Sequence, residues 1–287
     1  MKIPGLVILY NPNISDVISN ASSYLSSLEV LYVFDNSDNG NIYKEMLEDF
    51  SPKIKYYSFN ENKGIAFALN YISQIVHESN FKWILTMDQD SSFLIPNGFD
   101  NYIRSFLKEL NDKTAIFSPY FKGENKDQPQ FYTSGALMNL KVWNEIGKFD
   151  ENLFIDEVDG DFTYRLLEAN FRLVKINNIE LVHELGDKYC RKFLWKTLCS
   201  DNHSAIRKYY IARNRIYLMK KRPSMRSLYF FDSLRKFILL ILIEQDKKRK
   251  FVMLIRGIYD GLTNKMGKYN KDLSKNHFIT HIKHDEI

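Results

Sequence analysis

Between residues 5 and 88 the chain alternates short apolar runs with longer segments of helical period. The runs are "GLVILY" (5–10), "EVLYVFDNS" (29–37), "KIKYYSF" (53–59) and "FKWILTM" (81–87). Between the last two, Ile65, Ala66, Leu69, Ile72, Ile75 and Val76 recur at the 3.6-residue spacing of one helix face. Strands alternating with helices imply an α/β fold with a mainly parallel central sheet covered on both sides. Ligands of such sheets bind beyond the carboxyl ends of the strands. Asn11, Asp35 and Asp88 stand at such ends.

The second half has a different character. "KGENKDQPQ" (122–130) reads as an exposed loop, and the last hundred residues read as helical and basic. Residues 188–287 carry 24 Lys+Arg against 8 Asp+Glu, a net of +16, while residues 1–187 carry a net of −11. The expected division is into two functional halves, 1–187 and a basic helical region over 188–287. The basic part would face phosphates, nucleic acid or an anionic membrane. No nucleic-acid motif is present, and the basic residues are interleaved with long apolar stretches, so nucleic acid ranks last. The longest uninterrupted apolar run, Phe237–Ile243, is far short of a membrane span. Followed by Lys247–Lys250, it suits a helix lying on an anionic membrane surface, or one that closes the core or a homodimer interface. Cys190 and Cys199 lack metal-site spacing and are too few for a disulfide framework, so a reduced, cytoplasmic protein is expected.

Two acidic groups draw attention. "MDQDSS" (87–92) sets Asp88 and Asp90 one residue apart at a strand end. Close carboxylates hold a cation or share a proton, and Mg²⁺ typically takes one or two carboxylates plus phosphate oxygens. The alternative is a turn that uses Asp for its own hydrogen bonds. The second group is Asp156, Glu157, Asp159 and Asp161, whose spacing is wrong for an EF-hand. "DFTYRLLEANF" downstream reads as a helix, so Asp159 and Asp161 sit near its N-terminus, where negative charge is favoured. Asp159 is the candidate general base, and capping is the alternative for Asp161.

In order along the chain, "VILYNP", "VFDNS", "NKGIAFALN", "LTMDQDS", "TSGALMNLKVWNEIGKFDENLFIDEVDGDFTYR", "LVHELGD" and "RKYYIARNRIYL" resemble glycosyltransferase family 2, most closely its bacterial rhamnosyltransferase branch. The resemblance spans roughly Ile3 to Met266 and implies a GT-A-type nucleotide-binding fold. It implies that Tyr10, Asn11, Pro12 and Asp35 embrace the base and ribose, with Asn62, Lys63 and Gly64 as a second nucleotide loop. Free backbone N–H groups in that loop would favour an anion; Lys63 read alone is equally a solvated charge, and Asp35 equally a turn residue. The resemblance further implies that Asp88 and Asp90 hold Mg²⁺ or Mn²⁺ against the donor diphosphate, beside Gln89 and His183. Ser134 and Gly135 would lie beside the donor sugar, and Asp159 would be the base, with Arg165 bracing the carboxylates. Tyr209/Arg213 and Tyr210/Asn214 form i,i+4 pairs; with Arg207 they would bind the donor diphosphate or an acceptor phosphate, unless the helix is simply basic and solvated.

The implied activity is inverting transfer of a sugar from a nucleotide sugar, dTDP-L-rhamnose first and UDP-galactofuranose or another UDP-hexose second. The implied acceptor is a surface polysaccharide or lipid-linked glycan. A non-catalytic nucleotide or membrane-surface module on the same fold is the alternative from another class.

Overall fold

The computed structural model describes residues 2–93, 98–120, 131–176, 179, 181–183 and 189–270. The expected loop at 122–130 lies outside them. The first part runs β1 (Gly5–Leu9), α1 (Ile14–Ser22), β2 (Leu31–Asp35), α2 (Lys44–Phe50), β3 (Ile54–Ser58), α3 (Ile65–Glu78), β4 (Trp83–Asp88) and β5 (Ser91–Phe93). There follow α4 (Gly98–Glu109), β6 (Thr114–Pro119), β7 (Ala136–Asn139), α5 (Leu140–Glu145), α6 (Val158–Glu168), β8 (Arg172–Ile176) and β9 (Leu181–His183). The last part holds β10 (Tyr189–Phe193), β11 (Lys196–Ser200), α7 (Ala205–Lys221), α8 (Arg226–Leu242) and α9 (Lys247–Leu262).

Seven strands form one sheet in the order β3-β2-β1-β4-β7-β6-β8. All its pairings are parallel except those of β7, which runs antiparallel to β4 and β6. Because side chains alternate along a strand, neighbouring residues enter opposite cores. Leu6, Ile84, Ile116 and Met138 pack on one side with α3, α5 and α6, while Val7, Leu85, Phe117 and Leu137 pack on the other with α1 and α4. Burial on both faces explains why these strands read as continuous apolar runs. The predicted face of α3 is buried at Ala66, Leu69, Ile72 and Val76. Each such aliphatic side chain of Leu or Ile size stabilises the fold by roughly 1.5–3 kcal/mol.

The basic region does not form a core of its own: Leu218 of α7 and Tyr229 of α8 belong to the cluster that contains Trp143 and Phe162. Two expectations are corrected here. Residues 189–200 are an antiparallel hairpin rather than helix, and Cys190 and Cys199, directly opposite one another in it, form a disulfide rather than free thiols. Among the described residues no helix is long and apolar enough to cross a membrane.

Candidate active site

Register brings the strand ends together. Leu9 of β1 lies opposite Asp35 of β2, and Ile8 lies opposite Asp88 of β4. Gln89 ties two of these ends, accepting the Tyr10 N–H at 2.8 Å while its own carbonyl accepts from Asn20 at 3.0 Å. Asn11 turns through a left-handed backbone and donates its N–H to Ser37 Oγ at 2.7 Å. Tyr10 is half exposed at this rim, and Pro12 is buried beneath it.

Asp35 is placed differently from the expectation. Its side chain has no exposed surface, and its carboxylate accepts the Ser37 N–H at 2.9 Å and the Tyr56 hydroxyl at 2.5 Å. The turn role is the one it plays, so direct contact with base or ribose is not available in this conformation. The loop at 62–64 is also corrected, because its N–H groups are not free. Asn62 donates to Asp38 at 3.1 Å, Lys63 to Asn36 at 2.8 Å and Gly64 to the Asn62 side chain at 2.9 Å. Lys63 Nζ pairs with Glu61 at the surface. Gly64 instead permits a close approach: at φ 90° a Cβ there would stand 2.6 Å from the Phe154 carbonyl oxygen. The next N–H, of Ile65, donates to that same oxygen at 2.7 Å.

Phe154 opens the acidic loop, which is backbone-strained. Phe154, Asp156 and Glu157 all have positive φ near 60°, and the Ile155 N–H donates to Leu153 O at 2.7 Å across a tight turn. Such conformations persist only where the surroundings over-determine them, and they cluster at functional sites. The surroundings here are α7. Asn214 Nδ2 donates to the carbonyls of Leu153, Ile155 and Asp156 at 2.8–2.9 Å. Arg213, wholly buried, donates to the carbonyls of Leu153 and Asn152. Arg207 pairs with Asp156, Arg215 with Glu157 at 2.6 Å, and Arg222, just past α7, with the buried Asp161 at 3.2 Å. Arg165 also binds Asp161, at 2.8 Å, which is the bracing role expected of it.

Arg207, Tyr210 and Arg213, expected at a phosphate, all engage the chain itself, although the Arg207 side chain stays 44% exposed. Tyr210 stacks on Phe154 at 5.3 Å and its hydroxyl accepts the Tyr269 N–H.

The loop delivers Asp159 in the first turn of α6. Burial, then the nearby charge of Asp88, push its carboxyl up to about 7, although the Thr133 N–H donates to it and pulls the other way. Asp156 and Glu157 raise it further. A helix N-terminus favours the ionised form, and here desolvation and crowding outweigh it. A carboxylate poised near neutrality can accept a proton in a reaction and release it again. Asp88 is thus brought to Asp159. Ser134, itself buried, donates to Ser91 at 2.7 Å and accepts the Asp88 N–H at 3.4 Å, so it holds the turn rather than facing a ligand. Gly135 has φ 72°, and a Cβ there would meet Leu181. His183 pairs with Ser91 through its backbone in β9; its side chain lies outside the described part of the structure.

No group of three or more metal-ligating side chains occurs among the described residues. The donor set nevertheless fits a hard divalent cation that shares its ligands with a diphosphate. Asp88 and Asp90 flank a strand end, and the repulsion between Asp88 and Asp159 is what a cation would relieve.

The model of glycosyl transferase family 2 matches residues 10–168, which contain Tyr10, Asp35, Asp88, Asp90 and the acids at 156–161 described above. The chain belongs to this family. A curated relative, dTDP-rhamnosyl transferase RfbF of Shigella flexneri, is 27% identical over 313 residues, covering 94% of this chain and 99% of the relative. That likeness agrees with the rhamnosyltransferase branch. The mannosyltransferase PcManGT of Pyrobaculum calidifontis, solved with GDP-Man and Mn²⁺, superposes with a TM-score of 0.58 at 11% identity, over 92% of this chain and 74% of its own. It shares the GT-A-type fold that the family resemblance implies.

Sequence reasoning missed Thr133, Arg215 and Arg222 as members of this glycosyltransferase's site, and it expected Asn214 at a phosphate rather than on the carbonyls of the acidic loop. The available signal was the run of cations in α7, which complements the acids at 150–161.

Proposed function

We propose that this family 2 glycosyltransferase moves L-rhamnose from dTDP-L-rhamnose to a hydroxyl of a surface or lipid-linked glycan, with inversion at the anomeric carbon. The observation that carries the chemistry is Asp159, poised near pH 7 beside Asp88. The donor assignment draws on the end-to-end match to a dTDP-rhamnosyl transferase.

Asp159 removes the proton of the acceptor hydroxyl. That oxygen forms a bond to the anomeric carbon from the face opposite the diphosphate, and the bond from carbon to diphosphate oxygen breaks with its electron pair. One displacement turns a β-L-rhamnosyl donor into an α-L-rhamnoside, and no enzyme nucleophile is needed. Asp88 and Asp90 would hold Mg²⁺ or Mn²⁺, which when bound supplies Lewis-acid stabilisation of the leaving diphosphate. Tyr10 offers an exposed aromatic face to the base. Asp35, Asn36 and Ser37 shape the turn against which the nucleotide rests.

Competition between dTDP and UDP for binding, followed by turnover on a donor panel, tests the donor. Selective turnover of UDP-galactofuranose with dTDP-rhamnose inert would overturn the donor and leave the mechanism standing. Thymine differs from uracil by one methyl, worth only about 1–3 kcal/mol in a pocket, so turnover rather than affinity is decisive.

A further inference from the structure

The hairpin β10–β11 breaks a local rule without an internal reason. Its two-residue turn is Leu194-Trp195, and Leu194 takes φ 54°. Two-residue hairpin turns favour Gly, Asn or Asp at such a position, since a bulky side chain with positive φ is strained. No packing compensates, for Leu194 is 67% exposed and Trp195 81%. The neighbouring Phe193 is exposed as well. From Tyr189 to Ser200 the only charged residues are Arg191, Lys192 and Lys196, all exposed. The disulfide joins the two strands, and Leu198 on one face lines an apolar groove with Phe231, Leu234, Ile238 and Leu242 of α8. Phe231, Leu234 and Ile238 remain exposed.

We propose that this hairpin is a membrane-contacting finger, which inserts Phe193, Leu194 and Trp195 into the interface of an anionic bilayer. Aromatic side chains with a polar edge settle at the headgroup level. Cations just behind an apolar tip meet anionic headgroups when the tip is seated. The exposed face of α8 continues the same surface. The segment expected to make this contact supplies only part of it: Leu240 and Ile243 are buried and Lys250 is buried against Glu244 and Asn202, while Ile238 stays exposed on this surface. The finger is independent of donor and acceptor identity, because bilayers without either should bind it.

The test uses the full chain with vesicles of phosphatidylcholine, with and without phosphatidylglycerol. Trp83 and Trp143 are buried, so a change in tryptophan emission reports Trp195. Flotation with anionic vesicles, a shift of emission to shorter wavelength and quenching by brominated lipid are expected. Leu194→Asn/Trp195→Gly installs residues the turn prefers, so the unfolding temperature should hold while vesicle affinity falls at least about tenfold. Lys192→Glu/Lys196→Glu should weaken binding to anionic vesicles in the same direction. Unchanged flotation of the turn variant overturns the proposal. So does a wild-type chain that ignores anionic vesicles but sediments as a dimer that the turn variant dissolves, which would assign the patch to a second copy.

Discussion

Arg207, Arg213 and Arg215 in α7 turn toward the acidic loop, where carboxylates and main-chain carbonyls receive them. Arg191, Lys192 and Lys196, a few residues upstream, point into solvent around an apolar tip. Both stretches look alike in composition, and both invite the reading that they face phosphates. The difference is desolvation. A guanidinium with no exposure, such as Arg213, is tolerable only when its donors are taken up, and carbonyls of a strained loop do that. Exposed cations leave their hydration in place and remain open to a partner. Cation content marks a place where charge matters; burial says whether the counterpart is inside the molecule or outside it.

The inward set can be broken at its purpose. Asp159→Asn should lower transfer by about 10²–10⁴-fold and leave nucleotide affinity nearly unchanged by calorimetry. Substantial turnover at neutral pH would remove Asp159 from the base role. Asp90→Ala should abolish metal-dependent donor binding, and indifference of both binding and turnover to EDTA would remove the metal.

The brace itself comes next. Asn214→Ala removes a donor from three carbonyls and leaves those of Ile155 and Asp156 without it, Leu153 keeping Ile155 and Arg213. It should cost about 2–4 kcal/mol in denaturant unfolding, with a drop in kcat, because an orphaned carbonyl carries a desolvation penalty. Arg207→Ala, at a partly exposed ion pair, should cost less than about 1 kcal/mol. Equal losses at the two positions would dissolve the distinction between the buried brace and the partly exposed ion pair.

A smaller effect is one of pH. The Asp159 carboxyl releases its proton near 7 in the folded chain but near the usual carboxylate value of about 4 when unfolded. The folded state therefore binds the proton more tightly, and this group's contribution to stability falls as pH rises from about 4 to 7. Asp159→Asn should accordingly raise the unfolding temperature at pH 8 and change it little at pH 4. The rate constant should climb with pH through the same group, and a cation at Asp88 should move that limb to lower pH. The smallest effect is expected outside. Lys192→Ala/Lys196→Ala should leave both unfolding temperature and turnover on a soluble acceptor unchanged.

The sheet was legible because strands buried on both faces must be apolar throughout, as Leu31–Asp35 are up to their final residue. The strand-end acids stood out in the sequence for the same reason, but what each does was not legible there: Asp35 spends its carboxylate on Ser37 and Tyr56. What α7 does was not legible. Asp156 and Glu157 meet Arg207 and Arg215 across 51 and 58 residues, and nothing local says which cation finds which acid. The hairpin was hidden by its missing turn signal, since Leu194-Trp195 replaces the residues that announce one. The loop at 62–64 misled differently: Asn36, Asp38 and Asn62 are short acceptors that can take neighbouring N–H groups, and here they leave none for an anion.

The acidic loop's dependence on Asn214 also has a temporal side. Asn214 reaches Leu153, Ile155 and Asp156 across 58 to 61 residues of chain. During synthesis, the parallel sheet and its acids leave the ribosome well before the helix that fixes them. A nascent chain or a fragment ending before residue 205 would carry every acid of the site without the support that aims Asp159. Competence arrives only when α7 has been made and docked.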